Sequence, residues 1–241
     1  MVNVMGNRRR YPWVVSNSAV DLFCVERPLL ARGDVVVGID EVGRGAMAGP
    51  MTVGAVVLTC VASAPENLTD SKLLTPTRRE ELEVPLQRWA ADWSLGSVSA
   101  DEIDSWGLRL ALAVAATRAL DGLTVRPSHA LVDGPFNLLR APLDVPFGSR
   151  PPPELRYRSL PVTTIVKGDR KCASIAAASV LAKVHRDRLM VALHRGFEDF
   201  DWARNKGYGS KSHMDALRRF GPNDHHRRTW NLPERDVQEI A

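Results

Sequence analysis

The feature that most constrains this chain is an apolar segment near its N-terminus that ends in two adjacent acidic residues. Residues 35–39 read Val-Val-Val-Gly-Ile, a run typical of a buried β-strand, and Asp40 and Glu41 follow directly. Successive strand side chains point to opposite faces, so the two carboxylates cannot share one solvated face of a half-buried sheet. An ionised carboxylate is costly to bury unless a cation or strong hydrogen bonds compensate it. We therefore expect either a divalent metal site with oxygen ligands or the start of a polar turn.

A glycine-rich turn follows these acids and predicts a phosphate-binding loop. Gly43 and Gly45 flank Arg44, and glycines permit backbone angles and close approaches that other residues do not. Such a loop can offer backbone N–H groups and a guanidinium to one phosphate. The chain continues with Pro50 and a β-like run over residues 52–58, not with a helix, which argues against a dinucleotide-binding fingerprint. No G-x-x-x-x-G-K-[ST] motif occurs either, which excludes a P-loop.

Composition restricts the class of protein only broadly. The chain has 241 residues, enough for one large domain, with the 44% hydrophobic content of an ordinary globular protein. No apolar run approaches the roughly 20 residues of a membrane span, so no membrane partner is expected. Three cysteines without a C-x-x-C pair favour reduced thiols and a cytoplasmic location. The net charge of +4 and the basic C-terminal third fit either a nucleic-acid surface or solvated helix faces.

Residue periodicity predicts an α/β fold. A short link joins the predicted strands over residues 35–41 and 52–58, which favours an antiparallel pair. The other predicted elements are strands over residues 93–99, 129–132 and 162–166, a helix that begins at residues 75–76, helices over residues 101–120 and 173–193, and a short helix that ends at residue 220. Thr75 caps the first of these helices, which Pro85 is expected to interrupt.

Three of the predicted strands end at acidic residues. Asp40 and Glu41 end the first strand, Asp133 ends the fourth, and Asp169 follows the fifth. Sites in α/β sheets form at strand ends, where the loops converge. Four carboxylates there could hold two divalent ions about 4 Å apart, an arrangement used for in-line displacement at phosphorus. Mg²⁺ or Mn²⁺ suits all-oxygen ligation, whereas Zn²⁺ prefers the histidine or cysteine that is absent nearby in sequence.

Residues 40–50, Asp-Glu-Val-Gly-Arg-Gly-Ala-Met-Ala-Gly-Pro, resemble the first signature of the type 2 ribonucleases H, the ribonuclease HII family. Further matches follow in order over most of residues 35–215. The resemblance implies a ribonuclease H-like mixed β-sheet flanked by helices, with a helical C-terminal portion. It divides the chain into an irregular extension over residues 1–33, a catalytic domain over 34–195 and a C-terminal portion over 196–241.

The resemblance also implies roles for individual residues. The catalytic, metal-binding carboxylates would be Asp40, Glu41, Asp133 and Asp169, holding Mn²⁺ or Mg²⁺, two ions per site with substrate bound. Substrate contacts are implied for Gly43, Arg44, Gly45, Lys72, Lys183, Arg186 and Lys206. Tyr208, in Lys-Gly-Tyr-Gly, would stack on the sugar and sense the 2′-hydroxyl, which distinguishes RNA from DNA. Without the resemblance, Tyr208 between two glycines is more typical of a turn residue.

Several positions keep an alternative reading. The excursion over residues 135–161 is longer than in many relatives, and Asp187 is the alternative to Asp169 for the fourth acid. We prefer Asp169, because it follows a strand directly whereas Asp187 lies in a helix beside two arginines, where an ion pair is the ordinary explanation. His213, His225 and His226 could be ligands, but a helix start and a solvated basic tail account for them more simply.

The function implied by the resemblance is that of a metal-dependent endonuclease. It would hydrolyse the RNA strand of RNA–DNA hybrids and nick 5′ of ribonucleotides embedded in duplex DNA, leaving 3′-hydroxyl and 5′-phosphate ends. The expected partner is such a hybrid or duplex, and the protein is expected to be a monomer. The alternative is a nucleic-acid-binding module whose acids are structural and whose basic C-terminal third supplies affinity. Only the enzyme would require Mg²⁺ or Mn²⁺.

Overall fold

The computed structural model describes residues 21–140, 152–153 and 155–236, which form a five-stranded mixed sheet with helices on both faces. The strands are β1 Val36–Val42, β2 Met51–Leu58, β3 Asp92–Val98, β4 His129–Asp133 and β5 Val162–Ile165. The α-helices are α1 Glu26–Ala31, α2 Pro76–Trp89, α3 Ala100–Asp121, α4 Ala173–His194, α5 Trp202–Asn205 and α6 Lys211–Phe220. This architecture confirms the predicted ribonuclease H-like α/β class with a helical C-terminal part.

The strand order β3-β2-β1-β4-β5 places β1 at the centre of the sheet. β1 and β2 are antiparallel, as the short link predicted, and β3 continues the antiparallel half. β4 and β5 run parallel to β1 on its other side. The carboxyl ends of β1, β4 and β5 therefore lie along one edge of the sheet, where the three predicted acidic strand ends can meet.

Each face of the sheet is covered by one long helix. On one face, Ile103, Trp106 and Leu110 of α3 pack against Val37 and Ile39 of β1. All three side chains of α3 are buried there. Leu82 and Leu86 of α2 and Leu181 of α4 pack against Val56 of β2 on the opposite face. Because successive side chains of β1 point to opposite faces of the sheet, Asp40 points to the α4 face and Glu41 to the α3 face.

Helix α4 lies unusually close to the sheet because small residues face each other across the contact. A Cβ atom added at Gly38 would lie 2.3 Å from the Ser174 carbonyl carbon, and one at Gly54 would lie 2.4 Å from the Ala178 oxygen. Alanines line the same side of α4. This close approach brings Ser179 of α4 to the carboxyl end of β1.

Two expectations about the chain are revised or lie outside the described residues. Helix α2 continues through Pro85 to Trp89, because the helix on either side of the proline packs Leu82 and Leu86 into the core. Residues 1–20 of the N-terminal extension and residues 141–151 of the excursion lie outside the described ranges. Within those ranges, no helix is long and apolar enough to span a membrane. The three-segment division stays a prediction.

Candidate functional site

The structure brings the predicted acids together at the carboxyl edge of the sheet. Ile39 of β1 pairs with Val132 of β4, so the next residues, Asp40 and Asp133, lie on adjacent parallel strands just beyond the last paired residues. The chain leaving β5 is tied to the same point, because the Gly168 N–H donates to Asp133 Oδ1 at 2.7 Å. Asp169 follows this contact in a buried 3₁₀ turn.

Burial and mutual repulsion perturb these carboxyl groups strongly. Asp40 is 5% exposed, and burial raises its pKa to about 8, with the charges of Glu41 and Asp133 adding to the rise. A hydrogen bond from Ser179 and one from the Glu41 N–H at 2.8 Å oppose that rise in pKa. Burial also raises the pKa of Glu41, against the lowering effect of Arg44. A cluster of this kind favours binding of added positive charge.

A fifth carboxylate supports Asp169 from the loop before α2. Burial raises the pKa of Asp169 to about 6, and the nearby charge of Asp70 adds to it. Although burial acts against ionisation of Asp70, its pKa is lowered, because the Lys72 N–H donates to it at 2.9 Å and the Arg170 guanidinium at 3.0 Å. Asp70 is therefore the ionised member of this pair, held in place by Arg170.

The side chain of Lys72 lies in the field of these acids. Burial alone would lower its pKa, but Asp40, Asp70, Asp169 and Asp133 raise it above the ordinary value. One cation thus interacts with carboxylates from β1, β4, the turn after β5 and its own loop. These effects agree with the position of the acids at one edge of the sheet.

The donor chemistry of the cluster suits a hard divalent cation. Its members are carboxylates only, they are partly or wholly buried, and they repel one another. In the part of the chain that the structure describes, no three acidic, histidine or cysteine side chains already form a ligand set. The cluster therefore suits Mg²⁺ or Mn²⁺ through the kind and the charge of its donor atoms.

Beside the acids opens a cleft of about 490 Å³, here called the loop cleft. It is lined by Asp40, Glu41, Val42, Gly43, Arg44, Gly45, Ser71, Lys72, Ser179, Lys183 and Tyr208. Arg44 is half-exposed and pairs with Glu41 at 3.5 Å, and Lys183 pairs with Asp187 at 2.6 Å. Tyr208 is 37% exposed, with its ring edge near Gly45. The predicted phosphate loop, two lysines and the tyrosine thus share one cleft with two of the acids.

Two of the predicted substrate contacts do not fit the structure. Arg186 is fully buried and donates to the carbonyl oxygens of Pro50 at 2.7 Å and Lys206 at 2.9 Å, so its guanidinium is not available to a phosphate. The Lys206 ammonium donates to the Ala203 carbonyl and lies in a separate groove that also contains Asp187. Both residues hold the backbone around the cleft and do not line it.

The alternative fourth acid also belongs elsewhere. Asp187 is engaged by Lys183 and, at 3.8 Å, by Arg79, which is the helix ion pair expected for it. Asp169 is the acid next to Asp133. The preference for Asp169 over Asp187 therefore agrees with the observed positions.

The basic tail is not solvated as expected. His226 is 1% exposed and Arg227 is fully buried. His213, at the start of α6, bonds through Nε2 to His226 Nε2 at 3.0 Å and through Nδ1 to the Tyr208 carbonyl at 2.9 Å. The two rings are consequently linked to the tyrosine loop and are not metal ligands.

Sequence reasoning missed several supporting residues. Ser179 bonds to Asp40 and lies 2.8 Å from the Ser71 hydroxyl, and Asp70 supports Asp169. The Asp-Ser-Lys run at residues 70–72 pointed to Lys72 but gave no reason to consider Asp70. Ser179 was hidden in the small-residue face of α4, where a serine is as typical of packing as of function.

Comparison with known proteins gives consistent matches. A family model described as ribonuclease HII matches residues 37–232. Ribonuclease HII of Streptomyces griseus is 47% identical over 211 residues, covering 86% of this chain and 82% of that protein. The Phocaeicola vulgatus ribonuclease HII is 41% identical, covering 88% and 96%. The structure of the PCNA:RNase HII complex from Archaeoglobus fulgidus superposes with a TM-score of 0.61 at 26% identity, covering 84% of this chain and 98% of that one.

Proposed function

This chain belongs to the ribonuclease HII family and is an endonuclease that degrades the RNA of RNA–DNA hybrids, and we propose that it also nicks duplex DNA 5′ of single embedded ribonucleotides. The observation that carries the proposal is the arrangement of the loop cleft. A phosphate-binding turn and an exposed tyrosine line the same cleft as two of the carboxylates, Asp40 and Glu41.

Asp40, Glu41, Asp133 and Asp169 hold Mg²⁺ or Mn²⁺ in this proposal, with two ions when substrate is bound. Support comes from the raised pKa values of Asp40 and Asp169, which reflect repulsion that bound cations would relieve. Bound divalent ions would supply an activated water and charge stabilisation at the leaving oxygen. Attack at phosphorus that breaks the P–O3′ bond leaves a 3′-hydroxyl and a 5′-phosphate.

The side chains of the loop cleft bind and orient the substrate. Gly43, Arg44 and Gly45 face the phosphate, and Lys72 and Lys183 add positive charge to the cleft. Tyr208 packs on the sugar and reports the 2′-hydroxyl, which is the only group that separates one ribonucleotide from its DNA neighbours. His213 holds the backbone of Tyr208 through its carbonyl, so the ring is presented by a fixed loop.

A module that only binds nucleic acid accounts less well for the same features. Its acids would be structural, yet Asp40 and Asp169 lie buried near other carboxylates, where they oppose folding. Such a cluster is explained when the acids have a cation to bind. A monomeric state and a cytoplasmic location remain part of the proposal, supported by the unpaired cysteines.

The test uses a duplex that contains one ribonucleotide, with the cut mapped at nucleotide resolution. The wild-type protein should cut 5′ of the ribonucleotide with Mg²⁺ or Mn²⁺ and not with a chelator. Asp133→Asn should lose cleavage but keep binding of the same duplex, whereas the exposed control Asp199→Asn should behave as wild type. Cleavage by Asp133→Asn at the wild-type rate, or cleavage in chelator, would refute the assignment of the site.

A further inference from the structure

Two buried arginines lie behind the glycine-rich loop, and among the described residues neither forms a direct ion pair with an acid. Arg186 and Arg227 are both fully buried. Among the described residues, no carboxylate lies within ion-pair distance of either guanidinium. Burial lowers the pKa of Arg227 to about 10, and the charge of Arg186 contributes, so both groups remain cationic at neutral pH. Carbonyl oxygens and the more distant charges of Asp187 and Asp104 compensate these cations only in part, so an anion bound at the loop would stabilise them further.

The guanidinium of Arg227 holds the carbonyl oxygens of the loop. It donates to Gly43 O at 2.6 Å, to Arg44 O at 2.9 Å and to Gly49 O at 3.2 Å. The tail that carries it is fixed to the same loop, because the Arg227 N–H donates to Met47 O at 2.9 Å. These bonds fix the orientation of two consecutive peptide groups, those between residues 43, 44 and 45.

The orientation of these peptides determines where their N–H groups point. In a planar trans peptide the C=O and N–H bonds point in opposite directions. With the Gly43 and Arg44 oxygens turned toward Arg227, the N–H groups of Arg44 and Gly45 point away from it. Both residues line the loop cleft, and within the described chain neither N–H has a protein acceptor. Successive free N–H groups of this kind form an anion-binding concavity.

The glycine-rich loop packs tightly against Arg186. Gly43 has a φ of +81°, and a Cβ atom there would lie 2.1 Å from the Arg186 Nε atom. Arg186 also donates to the Ala48 and Lys206 carbonyls, and the Gly207 oxygen accepts from the Met47 N–H at 2.8 Å. The glycine loop, the tyrosine loop and the tail therefore form one rigid unit.

We propose that Arg227 is a positioning residue for phosphate binding. Its guanidinium aims the Arg44 and Gly45 N–H groups into the loop cleft. A substrate phosphate bound there is the counter-ion of two buried cations, Arg227 and Arg186. This inference rests on the proposed function and adds to it a residue that does not touch the substrate. It also explains why the basic tail folds back into the protein. The phosphate concerned is one that flanks the cut, since the loop adjoins the carboxylates.

The first experiment compares Arg227→Lys and Arg227→Gln with wild type on the single-ribonucleotide duplex, well below each variant's unfolding temperature. Lysine keeps the charge but lacks the planar pair of nitrogens that hold the Arg44 and Gly43 oxygens, and glutamine keeps a donor without the charge. We expect KM to rise roughly ten- to a hundredfold in both, with a smaller change in kcat, because binding of a ground-state phosphate is lost. The neighbouring exposed Arg228→Lys is the matched control and should keep the wild-type KM. An unchanged KM in the folded Arg227 variants would overturn the inference.

A second experiment separates this role from simple stabilisation. Neutral methylphosphonates replace, one at a time, the phosphates that flank the cut. At the phosphate that the loop binds, the methylphosphonate should lower the duplex affinity of wild type and of Arg228→Lys by the same factor. The duplex affinity of Arg227→Lys should fall much less, because its loop no longer binds that phosphate. Equal losses in all three proteins would show that Arg227 acts only on folding.

A third measurement needs no variant, in case the Arg227 variants do not fold. In wild-type protein, the amide NMR signals of Arg44 and Gly45 should shift on binding the duplex and shift less with the methylphosphonate at that position. Identical shifts with both duplexes would overturn the inference. Absence of cleavage by wild type would instead refute the proposed function, while the amide shifts would still report on the loop.

Discussion

Removing the charge of Asp40 should stabilise the protein while abolishing its activity. The pKa of the Asp40 carboxyl group rises from its ordinary value of 3.8 to about 8 in the folded chain, because the side chain is buried beside Glu41 and Asp133. Because the pKa of Asp40 is higher in the folded state than in the unfolded state, protonated Asp40 makes its full contribution to stability below pH 3.8. That contribution is lost as the pH rises toward 8.

The magnitude follows from the pH interval. About three pH units separate 3.8 from 7, and each is worth about 1.36 kcal/mol, so Asp40 opposes folding by about 4 kcal/mol at pH 7 as an upper value. Asn is isosteric with the protonated acid and can still accept from the Glu41 N–H. We expect Asp40→Asn to raise the free energy of unfolding at pH 7 by about 2–4 kcal/mol.

Urea unfolding at several pH values in a chelating buffer measures this effect. The difference between Asp40→Asn and wild type should be small at pH 4 and grow steadily up to pH 8, while the exposed control Asp199→Asn follows wild type throughout. Added Mn²⁺ should then stabilise wild type more than Asp40→Asn. A variant that is no more stable than wild type at any pH would refute the idea that the carboxylates strain the fold.

Three further predictions test the packing, the tail and the substrate contact. Gly54→Ala should lower the free energy of unfolding by about 1–3 kcal/mol, because its Cβ would meet the Ala178 oxygen at 2.4 Å; urea unfolding checks it, and an unchanged midpoint contradicts it. His226 has its pKa lowered to about 4, by burial first and by His213 next, so this ring alone should lower the stability of wild type by about 3 kcal/mol as the pH falls from 6.5 to 4, against the gain from Asp40. The free energy of unfolding of His226→Gln relative to wild type should therefore rise by that amount between pH 6.5 and pH 4, and a constant difference would disprove the assignment. Tyr208→Phe should reduce the preference for a ribonucleotide over a 2′-O-methyl analogue without changing the melting temperature, and an unchanged preference would remove the hydroxyl from substrate sensing.

Local sequence was sufficient for the elements and for the identity of the acids. Apolar runs that end in acids predicted β1, β4 and β5 to within a few residues, and Thr75 capped α2 as expected. These features depend on neighbours along the chain, which sequence periodicity records directly. The predicted interruption of α2 at Pro85 was wrong, because packing of Leu82 and Leu86 in the core outweighs the helix-breaking tendency of the proline.

Only the tertiary structure decided which charged residues serve the cleft and which support it. Arg186 and Lys206 were predicted to bind phosphate, and Arg227 was expected in a solvated tail. In the structure, Arg186 and Arg227 instead bind backbone carbonyl oxygens behind the loop, and Lys206 faces another groove. A basic residue has the same appearance in sequence whether its guanidinium meets water, a phosphate or a backbone carbonyl. The choice is made by burial and by carbonyl oxygens more than a hundred residues away in the chain, and no local pattern carries that information.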